Sequence, residues 1–209
     1  MKRLAMVLAG IVVSLVAAVG SNAAAPLADK TLVAWVTPAN LSQRGGSALT
    51  VEKGGGVFDA IVLGEIAPAK WMAGSDNFKR TNQKQDDLPA ETAGPQTLVQ
   101  IAVVYQGKQV TLYRNGIQVE TYSVDNQESF GDDSFVVIGL RHLEAAAENR
   151  FFTGAIDDAR IYGRALNRAE IAALQPNQSS NPPPLAWWDF ENGLATDRMK
   201  AFPVTTLFG

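Results

Sequence analysis

The sequence predicts an antiparallel β-sandwich carrying one short C-terminal helix and a tail strand. Three observations predict it. Short runs rich in β-branched and aromatic residues recur from about Lys30 to Tyr162, and Gly, Asn, Asp or Pro bounds each run. Asn115-Gly116 stands between two alternating runs and is the dipeptide that accepts positive φ in a two-residue hairpin. No long helical periods alternate with the strands, which argues against a parallel α/β sheet.

Taken in order, the chain opens with Lys2 and Arg3, an uncharged run from Leu4 to Gly20, and Ser21-Asn22-Ala23. That order is the pattern of a secretory signal peptide over residues 1–23, cut after Ala23. The alternative is an uncleaved anchor, which would be the chain's sole hold on a membrane; the apolar run is at the short limit for spanning a bilayer. The 209 residues carry a formal charge of −3; losing Lys2 and Arg3 lowers the basic count from 18 to 16 against 21 acidic residues, leaving −5. An acidic balance argues against nucleic acid as a partner. With no Cys and one His, structural disulfides, thiolate metal sites, Cys nucleophiles and multi-His metal sites are excluded. An exported chain without Cys fits a secreted or periplasmic, cell-envelope protein of a bacterium.

Leu32 to Val36 reads as a strand stopped by Pro38, and Ala48–Val51 and Val57–Leu63 flank a loose turn at Gly54-Gly55-Gly56. Leu98–Tyr105, then the alternating Val110, Leu112, Ile117 and Val119, form a three-stranded meander with one buried face. Phe135–Leu140 and Phe151–Tyr162 supply two more strands. Asn167 with Glu170 three residues on is a capping box, which predicts a helix whose apolar edge is Ile171 and Leu174. Lys79–Gln96 is polar, contains Pro89 and Pro95, and reads as a long loop. Gln175–Pro184 is a polar, Pro-rich linker.

Three stretches together resemble the LamG-like jelly rolls of the concanavalin A-like lectin/glucanase superfamily. VAWVT at 33–37 is similar to an early strand of that family, IAVVYQGKQVTLYRNGI at 101–117 to its central hairpin, and GAIDDARIYGRALNRAEIAAL at 154–174 to its closing strand, turn and helix. The resemblance implies one jelly-roll domain over 24–174. It departs where the family often has a Trp-His pair; Thr97-Leu98-Val99-Gln100 stands there instead. Leu185–Gly193 looks like the family's opening strand. Residues 185–209 therefore either begin a truncated second repeat, the favoured reading, or fold back beside the 155–162 strand and complete the first sandwich.

Candidate binding residues follow from chemistry. Trp71 is followed by Asp76, Asn77 and Arg80; an aromatic ring covers the C–H face of a sugar while carboxylate, amide and guanidinium groups take its hydroxyls. Burial of Trp71 and Phe78 in the core is the competing arrangement. His142, with Glu144 two residues on, is placed to reach a ligand at the rim. Asp157 and Asp158 fall in the closing strand, on opposite faces by simple alternation; the resemblance implies a structural Ca²⁺ held by a carboxylate there, with a pairing to Arg160 as the alternative. No nucleophile elbow, phosphate-cradling loop or glucanase-type acidic strand motif is present, so no catalytic residue is assigned.

The expected function is an exported, non-catalytic module that binds a glycan or an envelope protein. The alternative, resting on the resemblance, is an accessory-domain fragment of a secreted, levanase-like glycoside hydrolase of family 32 that lacks its catalytic domain.

Overall fold

The computed structural model describes residues 11–14, 26–143, 151–191, 193, 196–202 and 204–207. Its strands in chain order are β1 (Ile11–Ser14), β2 (Lys30–Pro38), β3 (Gly46–Lys53), β4 (Val57–Leu63), β5 (Trp71–Ser75), β6 (Val99–Gln106), β7 (Gln109–Arg114), β8 (Ile117–Ser123), β9 (Ser134–Ile138), β10 (Gly154–Tyr162), β11 (Ala186–Trp188) and β12 (Val204–Leu207). A 3₁₀ turn spans Asp76–Phe78, and α1 spans Arg168–Ala173.

Two six-stranded sheets face each other, ordered β12-β1-β9-β3-β4-β5 and β11-β10-β2-β6-β7-β8. All pairings within them are antiparallel. The sandwich expected from the strand pattern is therefore the fold. Alternation builds its interior: Leu32, Ala34 and Val36 of β2 and Ile101 and Val103 of β6 meet Leu49, Val51, Ile61 and Leu63 of the opposing sheet.

The second sheet is buried on its outer face as well. There Val33, Trp35, Ala102, Val104, Tyr113 and Tyr162 pack under Leu166, Ile171 and Leu174 of the helix segment. The capping box forms as the sequence predicts, with Asn167 accepting from the Glu170 N–H and Glu170 accepting from the Asn167 N–H. Asn115 and Gly116 adopt φ of 49° and 73°, as a tight hairpin with right-handed strand twist requires.

Three features depart from the sequence analysis. Trp71, a candidate sugar contact in the sequence, lies in strand β5, Trp71–Ser75, all five residues of which are buried. A bulge between Ile156 and Asp158 breaks the alternation of β10, so Asp157 and Asp158 do not simply face opposite ways. Both are bonded by Asn177, whose backbone N–H donates to Asp158 and whose side-chain amide donates to Asp157.

Of the two arrangements for the tail, the structure contains the fold-back. β11 pairs with β10 through Ala159–Trp188, Arg160–Trp187 and Ile161–Ala186. Trp188 is fully buried against Phe202, with ring centroids 5.5 Å apart. Burying a ring of that size contributes about 5 kcal/mol as an upper figure. The buried Asp197 carboxylate anchors the following turn, accepting from the backbone N–H groups of Trp187, Met199, Ala201 and Phe202.

The expected export segment, residues 1–23, lies outside the described residues except for Ile11–Ser14, which sit between β9 and β12. Among the described residues no helix is long and apolar enough to cross a membrane.

Candidate functional site

The five residues expected to contact a sugar do not converge. Trp71 is 5% exposed. Its ring packs against Phe152 and its indole N–H donates to Glu91 at 2.8 Å. Of the two arrangements weighed for Trp71, the structure contains the buried one: β5 is covered on both sides, and no face of Trp71 is open to stack on a sugar.

Arg80 is equally enclosed. It donates to Asp59 at 2.7 Å, Asp76 at 2.6 Å and the Phe58 carbonyl at 2.9 Å. Asp59 also pairs with the fully buried Lys30 at 2.9 Å, and the Lys30 ammonium lies 4.4 Å from the Tyr105 ring centroid. This network locks one end of the sandwich. Burial alone would raise the Asp76 pKa, but hydrogen bonds from Arg80 and Lys79 hold it below the usual carboxylate range. Asp76 and Arg80 are therefore corrected from ligand contacts to partners of each other.

Asn77 is exposed on the turn they hold, with φ 48°. His142 lies elsewhere, half-buried on the outer face of the first sheet and stacked on Phe58 at 4.7 Å. Glu144 lies outside the described residues.

Of the two residues expected to hold calcium, Asp158 takes the alternative arrangement, paired with Arg160. Asp158 Oδ2 accepts from Arg160 Nη2 at 2.7 Å, the Asn177 N–H at 2.7 Å and Trp187 Nε1 at 3.1 Å. Its Oδ1 accepts from Arg160 Nε at 2.9 Å. Hydrogens and a guanidinium surround the carboxylate where a cation needs open lone pairs. Among the described residues no group of three or more His, Asp or Glu is arranged to hold a metal.

Arg160 itself is fully buried between two rings, 4.8 Å from the Trp35 centroid and 4.5 Å from that of Trp187. Arg198 caps the stack at 4.0 Å from Trp187. This stack ties β2, β10 and β11 together, and it is structural.

The long loop from Lys79 to Gln96 closes the β5–β8 edge of the sandwich, and Glu91, unremarked in the sequence, anchors it. Glu91 accepts from Trp71, twice from Arg114 and from the backbone N–H groups of Thr92 and Ala93. Burial would raise its pKa, but the Arg114, Ala93 and Trp71 hydrogen bonds bring it down to about 2.

A concave site lies on the outer face of the second sheet, between the hairpin tip and α1. It is a cleft of about 190 Å³ lined by Trp35, Gln100, Asn115, Ala172, Leu174 and Gln175. Trp35, Gln100 and Leu174 are the buried floor; Asn115, Ala172 and Gln175 are the exposed rim.

Gln100 fixes this geometry. Its Nε2 donates to the Ile171 carbonyl at 3.1 Å and its Oε1 accepts from the Gly116 N–H at 3.1 Å. Its backbone N–H donates to Asn115 Oδ1 at 2.8 Å. Helix, strand and hairpin are stapled by one side chain. A Cβ on Gly116 would lie 2.8 Å from Ala172 Cα, so hairpin and helix already touch at that end.

The sequence held one sign of this site: Gln100 is an amide inside an otherwise apolar strand, and it stands where the family often carries a Trp-His pair. Leu174 was legible only as the helix's apolar edge, and the contribution of Gln175 depends on how the helix packs and left no such sign.

A family model described as the concanavalin A-like lectin/glucanases superfamily, Laminin_G_3, matches residues 16–172. Among solved structures, a Bacteroides ovatus protein named as a candidate carbohydrate binder is similar at a TM-score of 0.62 and 12% identity, over 90% of this chain and 51% of its own. Domain 4 of AbnA, an extracellular GH43 arabinanase of Geobacillus stearothermophilus solved with arabinotriose, is similar at 0.53 and 17% identity, over 71% of this chain and 66% of its own. The CBM40 of a Ruminococcus gnavus IT-sialidase is similar at 0.53 and 19% identity, over 70% and 82%. The chain thus spans about half the length of the Bacteroides structure. No curated protein matches it.

Proposed function

Because the chain belongs to the Laminin_G_3 family of the concanavalin A-like lectin/glucanase superfamily, we propose that it is an exported, non-catalytic carbohydrate-binding module. The carrying observation is the cleft, where three carboxamides, of Gln100, Asn115 and Gln175, converge on one concave surface above the buried Trp35. Amides, which both donate and accept, are groups that replace water around sugar hydroxyls. No ionisable side chain lines the cleft, so it holds no general acid or base. Similar folds named for carbohydrate binding support the reading without assigning a ligand.

Export rests on the leader pattern at residues 1–23, and a bacterial envelope or extracellular location follows from it. A second reading is favoured by the likeness to a domain of an extracellular arabinanase. In it the chain is an accessory module of a secreted glycoside hydrolase, with a levanase-like family 32 enzyme as the specific form.

The test is a glycan screen on the purified chain, followed by the exposed-residue variant Gln175→Ala. Binding to a glycan that this variant weakens without lowering the melting temperature is the expected result. A folded chain that binds no glycan, and instead retains an envelope protein, would overturn the proposal.

A further inference from the structure

We infer that the cleft takes one neutral sugar residue and rejects acidic sugars. This rests on the carbohydrate-binding reading above and names the ligand class for the same site. Three features carry it.

Charge is the first. Trp35, Gln100, Asn115, Ala172, Leu174 and Gln175 include no acidic or basic side chain. Of the charges beside the lining, Arg114 is committed to Glu91, and Arg160 to Asp158 and the Gln175 carbonyl. A carboxylated sugar entering here would lose hydration and gain no cation, a cost the site does not repay.

The second is the donor set. Asn115 spends its Oδ1 on the Gln100 N–H, which aims its amide nitrogen and leaves both N–H groups for a ligand. Gln175 is exposed and its side chain forms no hydrogen bond among the described residues, so it offers both a donor and an acceptor. Hydroxyls, which donate and accept, match this pair; an acceptor-only carboxylate wastes half of it. Two of the three amides lie on elements fixed by the Gln100 staple, so little ordering is needed on binding.

Size is the third. The cleft holds about 190 Å³, below the roughly 300–1,000 Å³ of pockets for larger ligands. The Gly116–Ala172 contact closes it on one side. The space suits one ring rather than a run of several.

The experiment titrates the full chain with methyl glycosides of neutral pyranoses and furanoses, and separately with glucuronic acid and N-acetylneuraminic acid. Binding is followed by NMR at the Asn115 side-chain amide and the Trp35 indole. Neutral glycosides are expected to shift both signals, and the acids neither. Asn115→Asp keeps the oxygen that accepts from Gln100 and tolerates the left-handed backbone, but replaces the N–H donors with negative charge. It should weaken neutral binding at least tenfold, and Gln175→Ala severalfold, with melting temperatures unchanged. For any linear glycan that binds, affinity per chain should be the same for the disaccharide and the hexasaccharide.

Tighter binding of the acidic sugars would overturn this inference and leave the carbohydrate reading standing. Affinity that climbs with chain length would overturn the one-residue site. Binding unaffected by both substitutions would place the sugar elsewhere and overturn the inference. Failure of neutral and acidic sugars alike would overturn the carbohydrate reading itself.

Discussion

Replacing Glu91 with Gln is the most exacting test of how the long loop is held. The Glu91 carboxylate is buried and takes five hydrogen bonds, two of them from Arg114 at 2.9 and 2.8 Å. Its pKa is lowered from 4.5 to about 2. At about 1.4 kcal/mol per tenfold, that difference contributes about 3 kcal/mol at neutral pH. The folded-state pKa is depressed, so this stability is complete above pH ~4.5 and drains away as pH falls towards ~2; at pH ~3 about 1.5 kcal/mol is left. Gln keeps the shape but has a single acceptor oxygen, and its NH₂ group faces N–H donors. For a domain of this size the expected melting temperature drop is about 6–12 °C at pH 7. Melts followed by circular dichroism at pH 7 and pH 3 check it: the gap between wild type and Glu91→Gln should be wide at pH 7 and roughly half as wide at pH 3. A gap within about 1 °C at pH 7, or one that does not narrow with acid, would refute the reasoning.

Three further outcomes are expected. Trp188→Ala should cost about 3–5 kcal/mol by emptying the space beside Phe202, read as the shift in the urea midpoint; a chain stopped after Leu174 should fail to give a cooperative transition at all. Asp158→Asn should cost about 3–5 kcal/mol because it strands the buried Arg160 without a counter-charge, whereas the wild-type melting temperature should be the same in excess Ca²⁺ and in chelator. A chain beginning at Ala24 lacks β1, so the β9 amides that face it should exchange faster with deuterium than in the uncut chain, and equal rates would show that β1 protects nothing.

Local chemistry was legible where one or two neighbouring residues decide the geometry. Asn115-Gly116 needs only its own φ preferences, and the Asn167–Glu170 box only the first turn of its helix. In the meander only β8 has a wet side; β6 and β7 are buried almost throughout, because the helix segment covers the face that alternation left to solvent. Trp71–Ser75 was opaque: with every residue buried, the strand shows no period to read. Arg80 read as a surface group, yet Asp59 and Asp76 from separate elements neutralise it inside the fold. No single segment could disclose that. The bulge in β10 misdirected the reading of Asp157 and Asp158, since an extra residue resets which side a chain presents. The cleft is assembled from a strand, a hairpin and the residues just past a helix; Asn115 and Leu174 were legible for their local roles, and nothing in the sequence brought them together.

The tail strand changes where the module ends. The family match stops at residue 172, yet Ala186–Trp188 fills the sheet position beside β10 and Asp197 gathers the turn beyond it. A gene cassette trimmed to the homology boundary would saw through a finished wall. Anyone transplanting this module onto another scaffold should carry the chain through Leu207, the end of β12, and attach the linker after it.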